Sequence, residues 1–110
     1  VLQTIVHQNK LFALTENGIW SNTVDQNNSW IQEDTMGVTG IKNMFVFKNQ
    51  LYFNNQQKIY PYKSNIASFQ ITSGNIETIT VDEDRILAGV SYVNNGALIQ
   101  LIVIYPTQYL

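Results

Sequence analysis

The sequence predicts an all-β protein made of repeated four-stranded antiparallel blades, and three observations carry this prediction. Residues 6–13, 46–53 and 81–88 read alike, each as an apolar run, a polar tight turn and a second apolar run, at spacings of 40 and then 35 residues. Apolar and polar residues alternate in 69–72 and 76–81, which is typical of half-buried strands. No stretch keeps a helical periodicity over three turns.

The repeat divides the chain into three units, residues 1–39, 40–75 and 76–110, which we interpret as two and a half to three blades of a single all-β unit. A repeat of strand-like pieces at this period predicts part of a β-propeller. The predicted strands are 2–8, 11–15, 19–23 and 30–33 in the first unit, 41–47, 51–53, 58–62 and 68–72 in the second, and 76–81, 86–93 and 97–105 in the third.

Turn signals separate these strands. Asn9 and Lys10 are predicted to turn between the first two strands, and Asn17-Gly18 predicts the next hairpin, because both residue types accept a positive φ. Pro106 ends the last strand, since proline cannot donate to a ladder of hydrogen bonds.

The composition excludes several classes of function. Charged residues make up 13% of the chain, about half the usual fraction of about 25%. The net charge is −2 and the six basic residues form no run, so neither a nucleic acid nor an anionic membrane is an expected partner. The absence of cysteine excludes disulfides and thiol chemistry. The longest apolar run, 98–105, is too short to insert across a bilayer.

One motif has a specific spacing. Residues 23–30 nearly fit the pattern S/T-x-D-x-G-x-T/S-W, with Thr23, Asp25, Asn27, Ser29 and Trp30 at the patterned positions. Asp25 can accept hydrogen bonds from backbone N–H groups of the turn, Ser29 or Thr23 can bond across it, and Trp30 is predicted to pack beneath it. Asn27 replaces the glycine and tolerates the left-handed conformation that the turn needs.

This segment resembles the Asp-box hairpin of sialidases, sortilin-type receptors and other BNR-repeat propellers. The corresponding segment of the second unit, 62–69, is degenerate, because Ser64 stands at the Asp position and Ile66 at the Gly position. In those families the box is structural and lies on the outer edge of the propeller. The resemblance therefore implies a propeller fold more than an activity, and it favours an extracellular or lumenal location.

Catalysis is not expected. The resemblance to sialidases would imply several arginines that grip a carboxylate together with a Tyr/Glu nucleophile pair, whereas the chain has one arginine, Arg85. The acidic clusters Glu33-Asp34 and Asp82-Glu83-Asp84 are interpreted as ordinary turn residues, and a weak calcium site at the second lacks the ligands of a known loop. His7 is the sole histidine, so no metal site and no cofactor are expected.

Aromatic residues are the remaining functional signal. Trp20, Tyr60 and Tyr62 stand near strand ends beside neutral amides, which suits binding of a sugar ring. Packing between blades is the alternative, because Trp20 and Tyr60 occupy the same position of the repeat. Both interpretations stay open at the level of the sequence.

We therefore expect a non-enzymatic binding or scaffolding module that contacts a protein or glycan partner through its loops. The alternatives are a carbohydrate-binding lectin and a segment of a larger glycoside hydrolase whose catalytic residues lie outside this chain. Propellers contain about four to eight blades, so these units cannot close a ring alone. Self-association or the remainder of a longer chain is expected to complete the ring, unless the strands form a small barrel or sandwich instead.

Overall fold

The computed structural model describes residues 1–23, 29–64, 68–70, 75–93 and 97–105. These residues form strands and contain no helix that is long and apolar enough to cross a membrane. In chain order the strands are β1 (Gln3–His7), β2 (Lys10–Thr15), β3 (Gly18–Thr23), β4 (Ile31–Gln32), β5 (Asn43–Phe47), β6 (Gln50–Asn54), β7 (Lys58–Pro61), β8 (Phe69–Gln70), β9 (Asn75–Val81), β10 (Ile86–Val93) and β11 (Ala97–Tyr105).

The strands form three antiparallel sheets, in which consecutive strands are neighbours. Sheet 1 has the order β1-β2-β3-β4, sheet 2 the order β5-β6-β7-β8, and sheet 3 the order β9-β10-β11. The prediction of an all-β chain with antiparallel sheets is confirmed. None of the three sheets closes on itself within the described residues.

Tight turns at equivalent places set the register of sheets 1 and 2. Gln8 and Asn9 have φ values of 47° and 66°, and Lys48 and Asn49 have values of 48° and 60°. Two consecutive residues with positive φ match the right-handed twist of a hairpin. The predicted turn at Asn9-Lys10 is therefore shifted by one residue, because Lys10 already pairs with His7 as the first residue of β2.

The second hairpin of sheet 1 depends on its glycine. Thr15 pairs with Gly18 across the turn, and Gly18 has a φ of 116°. The Thr15 hydroxyl donates to the Gly18 carbonyl at 3.0 Å and accepts from the Asn17 N–H at 3.1 Å. Position 18 thus requires glycine, and the two hydrogen bonds of the Thr15 hydroxyl stabilise the turn.

The three sheets pack face to face in chain order, with sheet 2 in the middle. We call the face of sheets 1 and 2 that points towards the next sheet along the chain the front face, and the opposite face the back face. In sheet 3 the back face is the one that packs on sheet 2, and the front face is the opposite one. The front face of sheet 1 and the back face of sheet 2 bury Phe12, Leu14, Ile19, Met44, Leu51 and Phe53. The front face of sheet 2 and the back face of sheet 3 bury Phe45, Phe47, Tyr52, Ile59, Ile76, Ile86, Ala88 and Val90. The protein therefore has two apolar cores, one at each junction between sheets.

Polar groups also bridge each junction. The side-chain amide of Gln3 donates to the Met44 carbonyl and accepts from the Met44 N–H, both at 2.8 Å. The Ile76 N–H donates to the Gln56 carbonyl at 2.6 Å. The Gln3 side chain of β1 thus bonds to the backbone of β5 with one donor and one acceptor, as the backbone of a neighbouring strand would.

Candidate functional site

Tyr60 and Tyr62 lie at the junction between sheets 1 and 2. The ring of Tyr60 stacks on its cross-strand partner Phe53, with centroids 5.5 Å apart and planes 15° apart. The ring of Tyr62 meets Phe12 of sheet 1 edge-on at 5.7 Å and 74°. Both tyrosines pack against the apolar core of this junction. These contacts give them a packing role, and a role in binding a glycan stays a prediction.

Trp20 lies on the other side of sheet 1. It pairs with Ala13 and Gln32 in neighbouring strands and is half-buried on the back face. Since Tyr60 contacts the front face, the structure does not bring Trp20 and Tyr60 together. No single sugar-binding surface is formed by these two residues.

The motif that resembles an Asp-box is described in part. Thr23 ends β3, and Ser29 and Trp30 precede β4, whereas Asp25 and Asn27 lie outside the described residues. Trp30 is 44% exposed, and its packing beneath the turn stays a prediction, because residues 24–28 lie outside the described residues.

A buried carboxylate joins sheets 1 and 2. Glu33 directly follows β4, its side chain is 6% exposed, and its N–H donates to the Ile19 carbonyl at 2.8 Å. One carboxylate oxygen accepts from the Ser21 hydroxyl at 2.5 Å. The other accepts from the Tyr62 hydroxyl and lies 3.5 Å from Lys63 Nζ. The sequence indicated only an acidic pair at 33–34, because the partners from sheet 2 are distant in the chain.

A cleft opens beside this network, between the turns of sheets 1 and 2. We call it the turn cleft, and it has a volume of about 250 Å³. It is lined by His7, Lys10, Phe12, Gln50, Tyr62 and Lys63, among others. The Gln50 amide donates to the Leu51 and Tyr62 carbonyls at 2.8 and 2.7 Å, which holds one wall in place. The lining contains basic and aromatic side chains and no acidic one.

No family model, no curated protein and no solved structure matches the chain. What the chain does must therefore be inferred from its own residues and geometry.

A second cavity, of about 330 Å³, lies at the opposite end of sheet 1, beside the connection to sheet 2. Its lining includes the neutral side chains of Thr15, Asn17, Gln32 and Thr39 together with the acidic Glu16 and Glu33. The Gln32 amide donates to the Asn17 carbonyl at 2.9 Å. Hydroxyl and amide groups of this kind suit a neutral polar ligand, but the lining offers no aromatic ring on which a sugar could stack.

The acidic turn between β9 and β10 is held by its own residues. Asp82 accepts backbone hydrogen bonds from Asp84 and Arg85 at 2.8 and 2.7 Å, and Arg85 Nη2 lies 2.8 Å from its second oxygen. The side-chain hydrogen bond from Arg85, followed by the backbone bond from Asp84, lowers the pKa of Asp82 below its ordinary value. Within the described residues, no group of three or more His, Cys, Asp or Glu side chains is placed to hold a metal ion.

Proposed function

We propose that this chain is a non-enzymatic binding or scaffolding module built from blades of the β-propeller type, and that it binds a second copy of itself through the back face of sheet 1. One observation supports this most directly. The 40-residue repeat makes the back face of sheet 1 equivalent to the back face of sheet 2, which packs on sheet 1.

The equivalence extends over the whole face. Positions 4, 6, 11, 13 and 20 of sheet 1 correspond to positions 44, 46, 51, 53 and 60 of sheet 2. Met44, Leu51 and Phe53 are buried in the junction, and Val46 and Tyr60 pack against it. In sheet 1 the equivalent Val6 is 65% exposed. At one end of the stack the back face therefore exposes Val6, beside the half-buried Leu11 and Trp20 and the buried Ala13.

A second copy of the chain can supply a front face to pack on the back face of sheet 1. Each junction in the chain joins a back face to a front face, and the front face of sheet 3 is the other end of the stack. Its described positions include the exposed Thr78 and Thr80, together with Leu87 and Gly89. None of these four residues is charged, and neither is Thr4, Val6, Leu11, Ala13 or Trp20, whereas Glu77 brings a carboxylate to the same face by accepting from the Ser91 hydroxyl at 2.5 Å. Repeated contacts between unlike faces close into a ring when the rotation allows it.

Sedimentation velocity with matched variants tests this proposal. We expect an assembly larger than the 12.6 kDa chain, and we expect Val6→Glu to dissociate it by placing a charge in the interface. Ile31→Glu is the control, because Ile31 is 60% exposed but shares the front face of sheet 1 with Ser21 and Phe12. A monomeric wild-type chain, or equal effects of both variants, would contradict the proposal.

Cross-linking tests the pairing of unlike faces, and the cysteine-free chain makes it unambiguous. A mixture of the Val6→Cys and Thr80→Cys variants should form mixed disulfide dimers under mild oxidation. Dominant dimers of Val6→Cys alone would indicate an interface between two like faces and would overturn the ring arrangement. Protection of position 6 that appears only in a longer polypeptide would place the occupant in the same chain and overturn self-association.

Glycan binding is the second candidate function, and the position of Trp20 favours it. Trp20 is half-buried beside Gln32, so an apolar ring and an amide are adjacent on an uncovered face. A glycan array should then show binding that Trp20→Ala abolishes. Binding that survives Trp20→Ala would remove this candidate. Tyr60→Ala is a poor probe of binding, because it deletes a ring from the junction core.

A further inference from the structure

The turn cleft concentrates positive charge in a protein of negative net charge. Lys10 and Lys63 are two of the six basic residues of the chain, His7 is its only histidine, and all three line the same cleft of about 250 Å³. Register explains why they meet. His7 and Lys10 pair at the end of β1 and β2 on the front face of sheet 1, and Lys63 follows β7 of sheet 2.

The basic side chains of the cleft differ in their partners. Lys63 lies 3.5 Å from Glu33 and above the Tyr62 ring, with Nζ 5.2 Å from the centroid. Lys10 and His7 are half-buried, and their side chains have no hydrogen bond or ion pair within the described residues. A partly buried cation is most stable when an anion lies against it. The residues that line the cleft with Lys10 include no acidic side chain, and Glu33 lies beside Lys63 outside that lining.

The floor of the cleft limits what can enter. Phe12 and Leu51 are buried beneath it, and the Tyr62 hydroxyl is directed to Glu33. The volume suits a small molecule and not a folded domain. Charge-assisted hydrogen bonds from lysine favour carboxylate or phosphate oxygens.

We infer that the turn cleft is a binding site for a small anion that carries a phosphate or carboxylate group. Lys10 and Lys63 are the side chains that donate hydrogen bonds to it. Both chemistries share an oxyanion, and the experiment separates them. The site is independent of the proposed self-association, because it lies on the front face of sheet 1 and not on the back face.

Amide chemical shifts followed during titration at constant ionic strength test this inference. The probes are inorganic phosphate, malonate and the uncharged sugar methyl glucoside. We expect saturable shifts at residues of the cleft with phosphate or malonate and none with the sugar. The tighter of the two anions then identifies the preferred group.

Variants assign the binding to the cleft. Lys10→Gln should weaken binding about tenfold, the loss expected for one hydrogen bond to a charged group, and Lys10→Arg should restore it. Lys42→Gln is the control, because it removes the same charge from an exposed residue outside the cleft. Equal losses in Lys10→Gln and Lys42→Gln, shifts that do not saturate, or binding of the sugar alone would overturn the inference.

Discussion

The carboxylate of Glu33, directly after β4 of sheet 1, accepts a hydrogen bond from the hydroxyl of Tyr62, directly after β7 of sheet 2. The Ser21 hydroxyl and the Lys63 ammonium complete its surroundings. A buried charge is stable only when such partners are present. The contact therefore favours the observed placement of sheet 2 on sheet 1 over a placement in which one sheet has slipped. Apolar packing alone would specify the observed placement less strictly.

Removal of the Tyr62 hydroxyl should destabilise this junction. Tyr62→Phe leaves one oxygen of a buried carboxylate without its hydroxyl donor, so we expect the free energy of unfolding to fall by about 1.5–3 kcal/mol. Urea denaturation measures the change. Tyr60→Phe is the control, because the hydroxyl of Tyr60 has no hydrogen-bond partner in the part of the chain that the structure describes. Equal effects of the two substitutions would show that the bond to Glu33 contributes nothing specific.

The Gln3 bridge should contribute a comparable amount. Gln3→Leu leaves the N–H and carbonyl of the buried Met44 without partners, and we expect a loss of about 1–3 kcal/mol in unfolding free energy. Gln3→Glu keeps the acceptor and loses the donor, so its effect should be intermediate. Gln57→Leu, at an exposed turn, serves as the control and should be nearly neutral. A neutral Gln3→Leu variant would show that the bridge adds no stability.

Asp82 should make stability depend on pH. Its pKa is lowered in the folded protein, mainly by the hydrogen bond from Arg85, so its contribution is complete above the ordinary value of 3.8 and is lost as the pH falls through the lowered pKa. Asp82→Asn keeps an acceptor for the turn and removes the ion pair. Its deficit in unfolding free energy should be constant near neutral pH, shrink below pH 3.8 and decrease in high salt. A deficit that is independent of pH would assign the effect to the turn alone, and Glu83→Gln provides the control.

Met36 occupies a conformation that suits another residue. It has a φ of 57°, is 54% exposed and precedes Gly37, whose φ is 77°. A left-handed conformation is strained for methionine and tolerated by asparagine. Met36→Asn should raise the unfolding free energy by about 0.5–1 kcal/mol, whereas Met36→Leu should not. A melting temperature that falls in the Asn variant would indicate that the Met36 side chain contributes packing that outweighs the strain.

Local signals in the sequence predicted much of the fold. The repeat, the turn residues and the alternation of apolar positions located the strands, and the limits of β10 and β11 agree with the prediction to the residue. The exact residues of the first turn were harder to predict than the strands, because several neighbouring residues there tolerate a positive φ. Gln8 and Asn9 form the first turn, and Lys10, which the sequence predicts to lie in that turn, begins β2.

The candidate sites were less predictable, because they depend on which faces meet. Alternation with a period of two tells which side chains share a face, but it does not tell which face another sheet covers. Trp20 and Tyr60 thus look alike in the repeat, although Tyr60 packs in a junction and Trp20 lies on the face of sheet 1 that no other described sheet covers.

The sequence by itself determined the strands, their antiparallel order and the chemistry of each turn, because these depend on neighbours within a few residues. The tertiary structure decided the contacts between residues 29 and 41 positions apart, Glu33 with Tyr62 and Gln3 with Met44. It also decided that His7, Lys10 and Lys63 share one cleft. Such contacts arise when sheets stack, and stacking follows from the shape and apolar surface of whole faces, which no local pattern encodes.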